Sequence, residues 1–254
     1  MKAVILAGGR GTRLSEETGL RPKTLVEIGG RPILWHIMSI YSQFGVNDFI
    51  VCCGYKGHMI RDYFLQYYAN TADLTVDLGT NSVQYHHVPA EPWRITMVDT
   101  GLDTQTGGRL RRIRDYVGDD TFMMTYGDAV ADVDIDALLA FHAQHKTWAT
   151  VTAVVPRGRF GALEVDDWQV VEFREKPAGD KQLINGGFFV LEPAVFDLIE
   201  GDQTLWELEP LESLADQGQL SAFEHHGYWQ CMDTLRDRDE LEKHVETGAP
   251  WLKG

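Results

Sequence analysis

The chain has 254 residues, 44% of them apolar and 24% charged, which is long enough for a large α/β domain and too ordinary in composition for a disordered or fibrous protein. Its net charge of −15 argues against nucleic acid or an anionic membrane as partner. No run of about 18 uncharged apolar residues occurs, the segment after Met1 lacks the apolar stretch of a secretory leader, and Cys52, Cys53 and Cys231 form neither a disulfide framework nor a zinc spacing, so a cytoplasmic protein is expected. Neither a repeat nor a linker divides the sequence, and a single domain over residues 1–254 is expected.

In chain order, AVILA reads as a buried strand and LAGGRGTRL as the loop that ends it. Pro32 opens a helix through ILWHIMSIYSQF that stops at Gly45, and DFIVCC follows as a second buried strand, completing a β-loop-α-β unit. MIRDYFLQYY has helical spacing; LTVDL, SVQYHHV and WRITMV read as strands, GRLRRIRDYV as a short amphipathic helix, and TFMMTY as another buried strand. DIDALLAFHAQH is a helix capped by Asp134, WATVTAVV a strand, and ALEV, QVVEF and GGFFVL further strand pieces. ELEPLESLADQG and TLRDRDELEKHVETG are the final helices. The alternation predicts a doubly wound, mostly parallel, Rossmann-like mixed sheet with an inserted β-rich region.

Three glycines, a threonine and two arginines directly after a strand suit a polyphosphate, because loops at carboxyl ends of strands bind ligands in open α/β sheets and glycine permits close backbone approach. The P-loop pattern fails at Thr12 and Arg13, and the dinucleotide fingerprint fails at Leu14. Residues 1–31 carry a local balance of +3 in an otherwise acidic chain, so an anion finds its site here. Asp128 stands just beyond a strand, and a carboxylate facing a polyphosphate needs a cation between them; magnesium takes one or two carboxylates plus phosphate oxygens. MDTLRD offers Asp233 as a second ligand. Lys23 in RPK and Lys176 in EKP sit beside prolines and can hold phosphoryl groups, and Arg109 lies at a helix start. Taken singly, these residues are also ordinary surface lysines, turn aspartates and solvated arginines. Asp132, Asp134 and Asp136 lack the glycine and terminal glutamate of a calcium loop and read as helix-entry acids. The histidine pairs make no zinc set, and no nucleophile elbow is present.

Together LAGGRGTRL, RPK, TYGD, EKP and MDTLRD resemble the sugar-1-phosphate nucleotidyltransferase family in order and spacing. EPW, DTG, TGGRL, GRFGAL, INGGFFV and YWQCMDT are similar to its branch that joins CTP to glucose 1-phosphate, over essentially the whole chain. The resemblance implies transfer of CMP from CTP to α-D-glucose 1-phosphate, giving CDP-glucose and pyrophosphate for deoxysugar and surface-polysaccharide synthesis, with Mg²⁺ as cofactor. It implies that Leu6, Ala7, Gly8, Gly9, Arg10, Gly11 and Thr12 wrap the nucleotide, that Arg13 faces the leaving pyrophosphate, and that Lys23 sits at the α-phosphate. The same resemblance implies that Thr104 and Arg109 would help hold CTP, that Asp128 and Asp233 would bind the metal, that Lys176 would hold the sugar phosphate, and that Gly161, Glu175 and Asn185 would lie near the hexose. The family's usual TYGDG is TYGDA here, and Ala129 puts sugar choice in doubt.

The alternatives are a transferase for UTP or dTTP or for another sugar 1-phosphate, and a non-catalytic nucleotide-sugar-binding regulator. Relatives are commonly homo-oligomers, and YFLQYYANTADL with WRITMV is a candidate interface or, equally, core.

Overall fold

Every residue of Lys2–Ala7 (β1) from Ala3 onward is buried, with Ala3, Ile5 and Ala7 in one apolar cluster and Val4 and Leu6 in another. A strand buried on both faces belongs to a parallel sheet covered by two layers of helices. The computed structural model describes residues 1–87, 91–156, 162–166, 169–174 and 183–252. Eight strands among them form the central sheet: β1, then β2 (Asp48–Cys53), β3 (Arg94–Asp99), β4 (Phe122–Tyr126), β5 (Ala149–Val154), β6 (Ile184–Asn185), β7 (Phe189–Leu191) and β8 (Leu220–His225). The order across the sheet runs β3, β2, β1, β4, β7, β5, β8, with β6 pairing the far end of β5 on the same edge as β7. All these neighbours are parallel except β7 and β6, which run antiparallel to theirs.

Helices α1 (Ile33–Ser42), α2 (Gly57–Leu65), α4 (Ile135–His145) and α6 (Leu235–Glu246) pack their apolar stripes on one face, through residues such as Ile37, Ile60, Leu138 and Leu241. Helices α3 (Thr106–Arg112) and α5 (Glu209–Asp216) cover the other through Leu110 and Leu214. Asp134 caps α4 by accepting from the Ala137 amide at 2.9 Å, as expected from the sequence. No helix among the described residues is long and apolar enough to cross a membrane.

Several features depart from the sequence reading, among them β8, which it does not foresee, and the helix expected over MIRDYFLQYY, which breaks at Gln66. GGFFVL is a strand only in its second half: residues 186–188 lie outside both β6 and β7 and separate them, with Phe188 at φ 45° and Thr152 donating to the carbonyls of Gly187 and Phe188. The sequence also misses a short antiparallel ribbon in which Trp229–Cys231 pairs with Ala129–Ala131, Cys231 opposite Ala129. Three residues are too few for a periodic signal, and that ribbon joins the two aspartates discussed next. ALEV and QVVEF do form a hairpin, Ala162–Asp166 with Gln169–Arg174.

Candidate active site

β1 and β4 are parallel neighbours, so the loops leaving their carboxyl ends are adjacent. The glycine loop follows Ala7 and Asp128 follows the Tyr126–Gly127 turn, with the Gly127 amide donating to the Leu6 carbonyl at 3.1 Å. Between them lies a cavity of about 260 Å³ whose wall includes Gly8, Gly9, Lys23, Thr104, Arg109 and Asp128. Leu6, Ala7 and Gly11 line it as well, so most of the nucleotide-binding residues expected from sequence surround one space.

The loop's shape is dictated from below. Arg109 is 4% exposed, and its guanidinium donates to the carbonyls of Gly8 (3.0 Å) and Gly101 (2.8 Å) and to the Thr100 hydroxyl (2.8 Å). A Cβ on Gly8 would stand 2.0 Å from Arg109 Nη1, so only glycine lets this cation reach the loop's backbone. Gly11 turns the loop at φ +60°, a conformation that disfavours side chains. Burial lowers the Arg109 pKa. Arg109 therefore does more than the nucleotide contact expected of it: it pins the loop to the ends of β2 and β3. Arg10 is exposed and pairs with Asp103 at 2.8 Å, and Thr12 begins a short 3-10 turn.

The acidic corner is assembled by the ribbon. The Met232 amide donates to the Asp128 carbonyl at 2.8 Å, so the residue after Met232 arrives beside Asp128. Asp233 also sits at the mouth of α6, where the Asp237 carboxylate accepts from the amides of Asp233 (3.0 Å) and Thr234 (2.8 Å), and the Thr234 hydroxyl accepts from the Asp237 amide. This capping box fixes the backbone that aims Asp233. The Lys23 ammonium donates to both Asp128 Oδ2 and Asp233 Oδ1, each at 2.7 Å, and Arg13 donates to Asp233 Oδ2 at 2.9 Å. Burial disfavours charge on Lys23, but Asp128 and Asp233 outweigh it and hold the ammonium above its ordinary pKa. Burial likewise works against the Asp233 carboxylate, and Lys23 and Arg13 overcome it, pulling its pKa below the usual value. Two carboxylates that converge on one cation could also hold a divalent ion, which takes one or two carboxylates plus phosphate oxygens.

Asn185 stands farther along the sheet, its amide donating to the Tyr126 hydroxyl at 3.0 Å and accepting from the Gly187 amide at 2.9 Å. Gly161, Glu175 and Lys176 lie outside the described residues. Sequence reasoning missed Tyr126 and Thr106, which also line the cavity. Tyr126 was hidden as the last residue of an apolar strand, although its place one residue before Gly127 marks it. His225, read as structural, contacts Asp132 at 3.0 Å and helps seat the ribbon.

Residues 2–237 match the profile of the family described as Nucleotidyl transferase. The chain belongs to the nucleotidyl transferase family. The glucose-1-phosphate cytidylyltransferase of Salmonella typhi is 58% identical to it over 253 residues, 99% of this chain and 98% of that one. Among solved nucleotidyl transferase folds, UDP-glucose pyrophosphorylase from Acinetobacter baumannii superposes with a TM-score of 0.72 at 16% identity, over 99% of this chain and 95% of that one. HddC from Yersinia pseudotuberculosis gives 0.71 at 23%, over 96% and 99%.

Proposed function

We propose that this nucleotidyl transferase moves CMP from CTP to α-D-glucose 1-phosphate, releasing pyrophosphate and CDP-glucose. The observation that carries the reading is the convergence of Asp128 and Asp233 on a single ammonium beside the glycine loop. Identity of 58% over nearly the full length to a cytidylyltransferase supports the choice of substrates. A phosphate oxygen of the sugar attacks the α-phosphorus; the new P–O bond forms as the bond to pyrophosphate breaks, and the enzyme supplies no nucleophile. The sugar phosphate is already an anion at neutral pH, so no general base is needed.

The obstacle is repulsion between two anions, and the chain answers it with charge and position. Asp128 and Asp233 would hold a Mg²⁺ ion, whose chemistry is to neutralise charge on the phosphates. Lys23 and Arg13, both paired with these carboxylates, are assigned to the α-phosphate and to the departing pyrophosphate, Arg13 from a side chain that is 77% exposed. The amides of Gly8, Gly9 and Gly11, whose residues line the cavity, are assigned to the nucleotide. Lys176, Glu175, Gly161 and Asn185 are assigned to the sugar phosphate. Three free cysteines, two of them buried, suit a reducing cytoplasm, and CDP-glucose is a precursor for deoxysugar synthesis.

A matrix of the four nucleoside triphosphates against sugar 1-phosphates with Mg²⁺, read by pyrophosphate release and product mass, tests this. Preference for CTP and glucose 1-phosphate is expected; turnover of UTP or dTTP in its place overturns the base assignment. Asp128→Asn is expected to keep the thermal transition and lose turnover on the order of 10²-fold or more.

We also infer a homo-oligomer built on the β3 edge. The hairpin Asp73–Asp77 with Ser82–His86 exposes Leu74, Val76, Val83 and Tyr85, and β3 has no strand partner on its outer edge among the described residues. Tyr85 packs near Tyr68, and Tyr68 shares a groove with Trp93 and Met97 at that edge. β3 carries exposed Arg94 at one end and exposed Asp99 at the other, so an antiparallel second copy sets opposite charges together. Light scattering on the Val76→Asp, Val83→Asp double variant is expected to give a smaller species than the parent; an unchanged mass rejects this face.

A further inference from the structure

The glycine loop is held at two of its carbonyls, and both holds trace back to the turn that follows β2. The Gly8 carbonyl accepts from Arg109 and from the Tyr55 amide, the latter at 3.1 Å. The Gly11 carbonyl accepts from the Thr18 hydroxyl at 3.0 Å, and that hydroxyl shares its single proton with the Leu14 carbonyl, also at 3.0 Å. Thr18 is buried and closes the short helical turn Ser15–Thr18. A Cβ on Gly11 would stand 2.7 Å from Thr18 Cγ2 and 3.2 Å from Lys23 Cβ, so Thr18, Gly11 and the stem of Lys23 pack as one unit.

A helical turn ends in carbonyls that have no partner inside it. Those of Thr18 and Gly19 both accept from the Lys56 ammonium, Thr18 at 3.1 Å, and the Tyr55 hydroxyl donates to the Thr18 carbonyl at 3.3 Å. The ammonium also lies 5.2 Å from the centre of the Tyr55 ring, within reach of its face. Lys56 stands at φ 51°, a conformation that glycine adopts freely and a side chain resists. Glycine would suit that backbone better, so what the lysine adds is its side chain, and the side chain goes to Thr18 and Gly19.

We propose that Lys56 is a positioning residue for the nucleotide: by holding the carbonyls of Thr18 and Gly19 it seats the Thr18 hydroxyl against Gly11 and fixes the far end of the glycine loop. Arg109 fixes the near end. Lys56 lines a different cavity, of about 330 Å³, from the one that Gly8 and Gly11 line. The inference rests on the assignment of the glycine loop to CTP, so Gly11→Ala serves as its control.

The experiment measures kcat, both KM values and thermal melting for Lys56→Gly, Lys56→Arg, Thr18→Val, Gly11→Ala and the Lys56→Gly, Thr18→Val double variant. Lys56→Gly keeps the backbone conformation and loses the ammonium. It is expected to raise the KM for CTP about fivefold to tenfold, with the KM for glucose 1-phosphate and kcat each within about threefold. Lys56→Arg, whose guanidinium can donate to the same two carbonyls, is expected to bring the CTP KM back to within about twofold of the parent. Thr18→Val is expected to raise the same KM, and the double variant to be no worse than its poorer parent, because both changes cut one line of contacts. A charge acting on CTP from a distance would instead multiply with Thr18→Val, and multiplying effects overturn the proposal. A merely structural lysine lowers melting temperature and kcat together and leaves the CTP KM in place, which also overturns it. If Lys56→Gly does not fold, Lys56→Asn decides in its place, since asparagine tolerates a positive φ and is too short to reach the carbonyls. A Gly11→Ala variant with unchanged CTP KM overturns the assignment of the loop itself, whereas a raised value there with no effect from Lys56→Gly overturns only the role of Lys56.

Discussion

The glycine loop and the acidic corner face the same cavity, and each is organised by one cation, yet the cations have opposite tasks. Arg109 is buried against neutral carbonyl groups at the ends of three strands, and nothing in the reaction needs it to move. Lys23 bridges two carboxylates that a divalent ion also suits, so its partners are exchangeable. One cation holds dipoles and builds a shape; the other holds charges and keeps a place. A fork of planar donors fits the first task, because it satisfies several carbonyls from one point, and a compact ammonium on a flexible stem fits the second.

The largest expected effect tests the exchangeable half. Lys23→Met removes the charge proposed to act at the reacting phosphate and is expected to cost on the order of 10²-fold or more in turnover. It also leaves Asp128 and Asp233 without the cation they share, Arg13 still pairing with Asp233. Like charges so placed raise the pKa of one carboxyl in the folded state. A raised acid pKa means stability that is missing above that pKa and regained as pH falls. The variant's melting temperature is therefore expected to rise from pH 7.5 to 5.5. In the parent, Lys23 and Arg13 pull the Asp233 carboxyl below its ordinary range and the carboxylates hold the Lys23 ammonium above its own, so neither of these two groups changes charge across that window. Their contribution fades only as acid takes pH down through the Asp233 pKa or alkali takes it up through that of Lys23. A variant whose melting is flat over the same window shows that the carboxylates do not depend on Lys23, and the comparison fails.

Arg109→Met tests the permanent half and is expected to act on stability first. It strips donors from the buried carbonyl of Gly8 and the half-buried carbonyl of Gly101, at a cost of about 3 kcal/mol. For a chain of this size that is roughly 6–12 °C in melting temperature. The loss is expected to be the same at pH 6 and pH 8, since no titrating partner is set free, and the KM for CTP rises because the loop loses its brace. Strong pH dependence in this variant, measured by the same melts, erases the distinction between the two cations.

Much of this was legible in the sequence, for reasons that differ by residue. β1, β2 and β4 are continuous apolar runs that end in glycine, and buried parallel strands have that signature. Asp134 reads as a cap because its side chain needs only a local partner. That Asp128 lies beside the glycine loop is legible from its place just past a strand, and that Lys23 reaches it is foreshadowed by the proline before it. What the sequence hides is whatever depends on register between distant segments. Nothing near MDTLRD announces that Cys231 pairs with Ala129, and without that pairing Asp233 has no address. The same holds for Arg109, whose burial is set by Gly8 and Gly101, about one hundred residues upstream in one case. The strand break at residues 186–188 is hidden for a related reason: its hydrogen bonds go to Thr125, Thr152 and Trp229 on other elements.

The smallest expected effect bears on how Asp233 is aimed. Asp237 accepts from the amides of Asp233 and Thr234, so Asp237→Ala removes half of the capping box and leaves two helix-entry donors to water. Loss of a cap of this kind costs about 1 kcal/mol, or roughly 2–4 °C for a chain of this length. Asp233 keeps its other restraint, the ribbon pairing that ties Met232 to Asp128, and it keeps Lys23 and Arg13. Turnover is therefore expected to fall by no more than about fivefold, since the carboxylate still reaches the same point with a wider spread. Melting and steady-state assays on one preparation check both numbers. A loss in turnover as deep as that of Lys23→Met places the aim of Asp233 in the cap; the corner is then held as permanently as the glycine loop, and the division of labour between Arg109 and Lys23 does not stand.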